Sequence, residues 1–534
     1  MKTKIIILFF LLIIPIVSCK KDYLDNPSTV RPTADNYYNT PDEVYGATGV
    51  LYNGVWLDWS DKAFISVGDV LGGTVTGTAG NTQYNSFYNF NIQSTDGLIA
   101  QTWKSCYKAA GIAADLIHTL EEKKSKIGNK SFLTAGIAEA KFIRAFAYFY
   151  IARTFGDAPI VENPIDLTSE GNYNVPRYIQ SDVLRFAAED LKFAEENLPE
   201  PGSVFQKGRV HKYSAKGLLA KVYLYMKDYN NAKLKAKEVI DYATANPDKV
   251  GLYPDYNKMF TSSSANNNQE SLFALQWLTS LSWDGANRYQ LYVGPQPLLK
   301  PAPTNGNGYS AVVPSIDLLN PVTGYATGDK RRNWSVMEQG FTRPEWVNAN
   351  FPNGFKYDTT AATDDYHIKT GTRSSILKYV VGPNRASESV NTNSHSSICT
   401  YILRYADVLL IYAEASMNGS GSTTDGSALA AYNAVHTRAG LPAVSSITIN
   451  DILHERKVEF AFEGDYWFDI QRQGLAKAKS IIESQERGTY GDNRTLNSFK
   501  ATIPASFSTM FLPIPQAETV SNPLLNEPAK PYYK

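Results

Sequence analysis

Helical periodicity, cut by well-placed stops, constrains this chain more than any other feature. Residues 101–122 (QTWKSCYKAAGIAADLIHTLEE) put Trp103, Tyr107, Ala110, Ala114 and Ile117 at spacings of three and four, which is one buried helical stripe. Residues 132–155 repeat the pattern with Ala138, Phe142, Phe146 and Phe149, then stop at Phe155-Gly156-Asp157-Ala158-Pro159, glycine terminating and proline barring continuation. Residues 182–198 give another amphipathic helix, ending before Pro199. In residues 217–247 (GLLAKVYLYMKDYNNAKLKAKEVIDYATANP), Ala220, Ala232 and Ala236 fall where two antiparallel helices need close approach. Tyr223 and Tyr229 flank the turn, and Pro247 closes the unit.

This last unit looks like a tetratricopeptide-type helical pair, whose repeat is about 34 residues. A second pair is expected from 401–417 and 427–439, joined by Gly419-Ser420-Gly421-Ser422. Such units stack into a short solenoid. Between them, residues 251–400 change character: Asn, Gly, Ser, Thr and Pro rise, and short strand-like pieces such as Ser271–Trp277 and Ile376–Val381 stand between turns. The expected fold is mainly α, with helical pairs and a loop-rich insertion containing short strands. Its parts are a helical region over 41–250, the insertion over 251–400 and a C-terminal part over 401–534.

The first residues read as an export signal. Lys2 and Lys4 precede an apolar run, Ile5–Val17, too short for a spanning helix of about 20 residues. Ile16-Val17-Ser18-Cys19 resembles the bacterial lipobox, so residues 1–18 are expected to be removed and Cys19 to carry lipid. The turn-rich stretch 19–40 then reads as a tether. The full chain carries 52 basic and 52 acidic residues, a balance that argues against a polyanion partner such as nucleic acid. Cys106 and Cys399 allow either one disulfide or two buried thiols.

Local motifs for chemistry are sparse. His454-Glu455-Arg456-Lys457-Val458 begins like the zinc-protease HExxH motif but has Val where the second histidine ligand belongs. No phosphate-binding glycine loop, dinucleotide fingerprint or nucleophile elbow is present, and no cofactor or metal is expected. Glu455, Glu459 and Glu463 recur every four residues, and paired carboxylates are what glycoside hydrolysis requires. With Arg456, Lys457 and Arg472 beside them, the expected role of these glutamates is ion pairing rather than catalysis.

Five ordered motifs resemble the SusD/RagB family of nutrient-binding outer-membrane lipoproteins. They are Cys19-Lys20-Lys21-Asp22-Tyr23-Leu24-Asp25-Asn26-Pro27; Ala138–Phe146 with Phe155–Pro159; Ile402–Leu410 with Tyr412–Ala415; Glu455–Ile470; and Leu512–Gln516 with Glu518 and Asn522-Pro523. Tyr466 departs from the Arg or His common there. The resemblance implies a lipid-anchored, non-catalytic protein at the outer membrane. Such a protein captures oligosaccharide, or in some members peptide, and hands it to a SusC-type TonB-dependent transporter.

The resemblance also implies a ligand site built from loop aromatics rather than from the motifs themselves. The chain is rich in them, with 34 Tyr, 24 Phe and 8 Trp, and their flat apolar faces suit stacking on sugar rings. Two segments fit. Within 68–91, Asn81, Gln83, Tyr84, Phe87 and Tyr88 follow a Gly/Thr stretch. In the insertion, Trp283, Asp284, Asn287, Arg288 and Tyr289 cluster, near Trp277 and Tyr292. The expected contacts are Asn81, Tyr84, Tyr88, Trp283, Asp284, Arg288 and Tyr289.

Overall fold

The computed structural model describes residues 36–533 except 79–80, 172, 282–284, 296–297, 299–308, 349, 360–370, 384–389, 392–393 and 492–493. The signal segment, Cys19, Trp283 and Asp284 therefore lie outside the described residues.

The long helices are α1 (Gly97–Ile127), α2 (Ser131–Phe155), α3 (Gln180–Asn197), α4 (Lys212–Tyr225) and α5 (Tyr229–Ala245), then α6 (Tyr405–Ala415), α7 (Gly426–Arg438) and α8 (Ile449–Glu459). Their ends are set by local chemistry. Asp96, Asp228 and Asp425 cap α1, α5 and α7 by accepting backbone N–H groups of the first turn. Thr448 and Asp451 form a reciprocal capping box on α8. Helix α2 ends at Gly156, whose φ of 73° most side chains avoid and whose N–H donates to Ala152 O.

From α1 to α7 each helix packs on the next, giving the expected stack of antiparallel pairs. Ala220, Ala232 and Ala236 are fully buried. The stack continues from α5 to α6, although residues 246–404 intervene in the chain.

That intervening stretch is woven into the body. Strand β2 (Ser271–Leu275) pairs antiparallel with β4 (Thr400–Arg404), while β1 (Val75–Gly77) pairs antiparallel with β3 (Val312–Pro314). Tyr256, Phe260, Tyr379 and Tyr401 join the continuous hydrophobic core; Phe260 meets Tyr379 and Tyr401 edge-on at 5.2 and 5.4 Å. Of the strand-like run Ile376–Val381, only Ile376 is in a strand, paired with Val336; Tyr379, at φ 67°, turns the chain. Cys106 and Cys399 are two separate buried thiols, so no disulfide joins them. Among the described residues, no helix is long and apolar enough to cross a membrane.

Candidate functional site

The three spaced glutamates lie in the protein interior, each held by cations from other elements. Glu455 accepts from Arg331 Nη1 at 2.6 Å and is 2.8 Å from His436 Nδ1. Glu459 accepts from Arg438 Nη2 at 2.6 Å, Arg404 Nη1 at 2.9 Å and Arg331 Nη1 at 3.1 Å. Glu463, beyond the end of α8, pairs with Arg404 and with Lys378 Nζ at 2.9 Å. Arg456, expected to neutralise this face, instead joins Asp407 at 2.6 Å and Asp469 at 2.8 Å. Lys457 binds Asp317, and Arg472 binds Glu414.

Burial alone would raise the Glu459 carboxyl, but Arg438, Arg404 and Arg331 together hold it well below the usual range. Glu455 is lowered too, Arg331 and the His436 hydrogen bond outweighing burial. A general acid needs the opposite shift. These glutamates bind the framework together.

A partly exposed cluster of different character, called the recess below, forms where the two aromatic segments of the sequence meet. The short turn Trp59–Ala63 supplies Asp61 and Lys62, and the helical turn Tyr289–Val293 supplies Tyr292. Tyr309 precedes β3. Its ring lies nearly parallel to that of Tyr292, centroids 5.6 Å apart and planes 16° from parallel, and it remains 38% exposed. Lys62 Nζ sits 5.1 Å from the centre of Tyr292 and donates to Gln83 Oε1 at 3.2 Å. Tyr292 OH donates to Asp61 Oδ2 at 3.1 Å, and Arg288 Nη2 approaches the same oxygen at 3.3 Å.

The first segment is tied to this cluster through β1. Thr78 Oγ1 donates to Ser310 O at 2.7 Å and accepts from Asn81 Nδ2 at 2.9 Å. Burial lifts the Asp61 carboxyl above its ordinary pKa, against the lowering exerted by Arg288 and the Tyr292 hydroxyl. Its other oxygen, Oδ1, is buried without a hydrogen-bond partner.

The expected contacts divide. Asn81 and Arg288 belong to the recess. Tyr84 does not present its ring there: it is fully buried in the core. Tyr289 is likewise core, with its OH donating to Phe462 O at 3.1 Å and its ring edge-on to Phe64 and Tyr379. A ring enclosed on both faces cannot stack on a sugar. Tyr88 is half-buried and stacks on Phe499 at 4.6 Å, while its OH donates to Arg487 O. Trp277 is buried and donates to Thr400 Oγ1 at 3.0 Å. Asp61, Lys62 and Tyr309 were not singled out in the sequence, where nothing local marks them. The arrangement offers a π face, two cations, one carboxylate and side-chain amides, which suits a hydroxyl-rich ligand with apolar C–H faces. Among the described residues, no group of His, Cys, Asp and Glu could hold a metal ion.

A stacked-helix scaffold carrying a half-open aromatic recess, apart from its buried charges, defines the class. The chain matches the model of the SusD family over residues 269–533, and over 69–224 one described as starch-binding associating with outer membrane. A SusD-like protein of Bacteroides ovatus is 29% identical over the whole of this chain and 98% of its own length. A crystal structure with xylogluco-oligosaccharide superposes with a TM-score of 0.77 at 28% identity, covering 92% of this chain and 99% of that one. A laminarin-binding SusD-like protein has the same fold, with a TM-score of 0.67 at 23% identity over 91% and 98% of the two chains. The chain belongs to the SusD family.

Proposed function

We propose that this protein is a surface lipoprotein of the outer membrane that captures oligosaccharide and delivers it to a SusC-type TonB-dependent transporter, without cleaving it. The observation that carries the reading is the Tyr292–Tyr309 stack, with Tyr309 38% exposed and with Lys62, Asp61, Gln83 and Arg288 gathered beside it. The relatives solved with xylogluco-oligosaccharide or described as laminarin-binding support the ligand class. Trp283 and Asp284, close in sequence to Arg288, complete the proposed contact set. Cys19 supplies the lipid anchor.

Stacking of a nucleobase on an aromatic ring contributes about 1–3 kcal/mol, and a sugar, which offers C–H groups rather than a π face, sits at the low end of that range. Tyr309→Ala should therefore weaken binding of xylogluco-oligosaccharide or laminarin by about tenfold while leaving the melting temperature in place. Calorimetry against both glycans and a peptide library checks this. Binding of peptides and of no glycan would replace the ligand class, and unchanged affinity in Tyr309→Ala would remove the site. Cys19→Ala should abolish lipid incorporation and leave ligand affinity unchanged.

A further inference from the structure

We infer that the protein carries a second saccharide site, in the cleft where the loop Pro201–His211 faces strand β2 and the turn that leads into it. The ligand class rests on the glycan reading of the first site, but the two share no residue. The cleft has a volume of ≈ 460 Å³, within the range of small-ligand sites.

Its polar lining carries both signs and amides: Lys207, Lys249, Asp248, Asn267 and Gln269, beside Arg209, whose charge is spent on Glu139, and Asn268, whose amide is spent on Ala265, Tyr401 and Glu270. Asn267 and Gln276 exchange amide hydrogen bonds at 2.8 and 3.0 Å. That exchange uses one donor and one acceptor of the Asn267 amide and leaves a second of each. Gly208, at φ 97°, lies directly over this amide pair; a Cβ there would come within 2.6 Å of Asn267 Nδ2. The loop thus packs on one face of the amide pair, so the remaining donor and acceptor of Asn267 can be reached only at the amide's edge.

A stacked aromatic pair, with Lys216 Nζ 5.9 Å from the centre of its Tyr213 ring, adjoins the cleft through His211. Tyr213, at the start of α4, and Tyr242, near the end of α5, stack with centroids 3.8 Å apart and planes 22° from parallel. Both rings remain partly open to solvent. His211 lines the cleft, and its ring lies 6.5 Å from that of Tyr213. Asp248 and Lys249 follow Tyr242 across the turn that closes α5. Burial, and after it the neighbouring Glu200, pushes the Tyr213 phenol up to about 12, so it stays a hydrogen-bond donor at any physiological pH. Mixed charge disfavours a polyanion, whereas sugar hydroxyls, each both donor and acceptor, suit amides and charges of both signs.

Two sites on one chain change how a polymer is held. The second contact becomes intramolecular, and avidity can exceed single-site affinity by about 10²–10⁴-fold. The test uses the full chain, affinity electrophoresis through xyloglucan and through laminarin, and calorimetry with xylogluco-oligosaccharide. The variants are Tyr309→Ala, the double substitution Tyr213→Ala with Tyr242→Ala, and all three together; Lys249→Glu probes the cleft without disturbing the helical pair. We expect the double variant and Lys249→Glu to lose tenfold or more in retardation by polymer. The oligosaccharide stoichiometry should fall from two to one in the double variant, and residual polymer binding in Tyr309→Ala should vanish in the triple variant. One oligosaccharide per wild-type chain, with polymer retardation unchanged in the double variant and in Lys249→Glu, overturns the second site and leaves the first standing. No retardation of wild type on either polymer overturns both.

Discussion

The ion network behind α8 and the recess at Tyr309 use the same residue chemistry to opposite ends. Around Arg404, Glu270, Glu459 and Glu463 are all buried and bonded to several cations from distant segments. At the recess, Lys62, Gln83 and Tyr309 keep surface, and the Asp61 carboxylate has one oxygen with no partner. Saturated polar groups fix a fold, because a partner removed from the interior leaves an uncompensated charge. Unsaturated, half-open groups keep bonding capacity for something that arrives later. The matched family motifs belong to the first kind, so they identify the scaffold without describing what it holds.

The largest expected effect lies in the network. Arg404→Met should cost about 3–5 kcal/mol, because Glu270, Glu459 and Glu463 would keep their burial and lose a shared cation. Urea denaturation measures the loss, and the protein that remains folded should bind glycan with unaltered affinity. A stability change below about 1 kcal/mol would mean that these charges are not the framework they are taken for here.

Next in size is a pH effect at the junction of the two regions. Asp69 accepts from Phe462 N at 2.9 Å, Gly464 N at 2.7 Å and Thr74 Oγ1 at 2.6 Å, clamping the N-terminal segment to the turn after α8. Contact is so close that a Cβ on Gly68 would lie 2.0 Å from Gly464 C. Burial dominates these hydrogen bonds and raises the Asp69 carboxyl to about 6, against an unfolded value of 3.8. Between about pH 4 and 6 the folded state therefore binds more protons than the unfolded one, and stability falls as pH rises through that window. The difference amounts to about 3 kcal/mol. Wild-type stability relative to Asp69→Asn, which cannot titrate, should drop by about that amount between about pH 2 and pH 8, most of it between pH 4 and pH 6; a constant difference refutes the shift.

The sequence was a good guide wherever the determinant was local. Helices α1 to α5 were readable because apolar spacing, the Gly156 terminator and Pro stops all act within a few residues. The role of Glu459 as an ion-pairing group was readable, but not its partners: Arg404 lies 55 positions away in the chain and Arg331 lies 128. Tyr84 and Tyr309 show the limit most clearly. Both are tyrosines near glycine-rich chain, yet one is fully buried and the other is 38% exposed. The pairing of Val75–Gly77 with Val312–Pro314 helps set which ring is enclosed, and a register between segments more than two hundred residues apart leaves no local trace. Composition could point to the two segments that build the recess, and only packing could sort their side chains.

The smallest effect gives the sharpest test of the contrast. Lys62 rests over Tyr292 and holds Gln83, a cation–π contact of the partly exposed kind worth about 0.5–1 kcal/mol. If the recess is built for a ligand, Lys62→Ala should reduce glycan affinity about two- to fivefold by releasing Gln83 and loosening the tyrosine pair, and it should scarcely move the denaturation midpoint. If Lys62 instead serves the fold, as Arg404 does, stability will fall and affinity will not. Lys62→Arg separates the two further, since it keeps the charge over the ring but not the ammonium's compact contact with the Gln83 amide. Recovery of affinity in that variant would assign the effect to the cation–π contact, and failure to recover would assign it to Gln83.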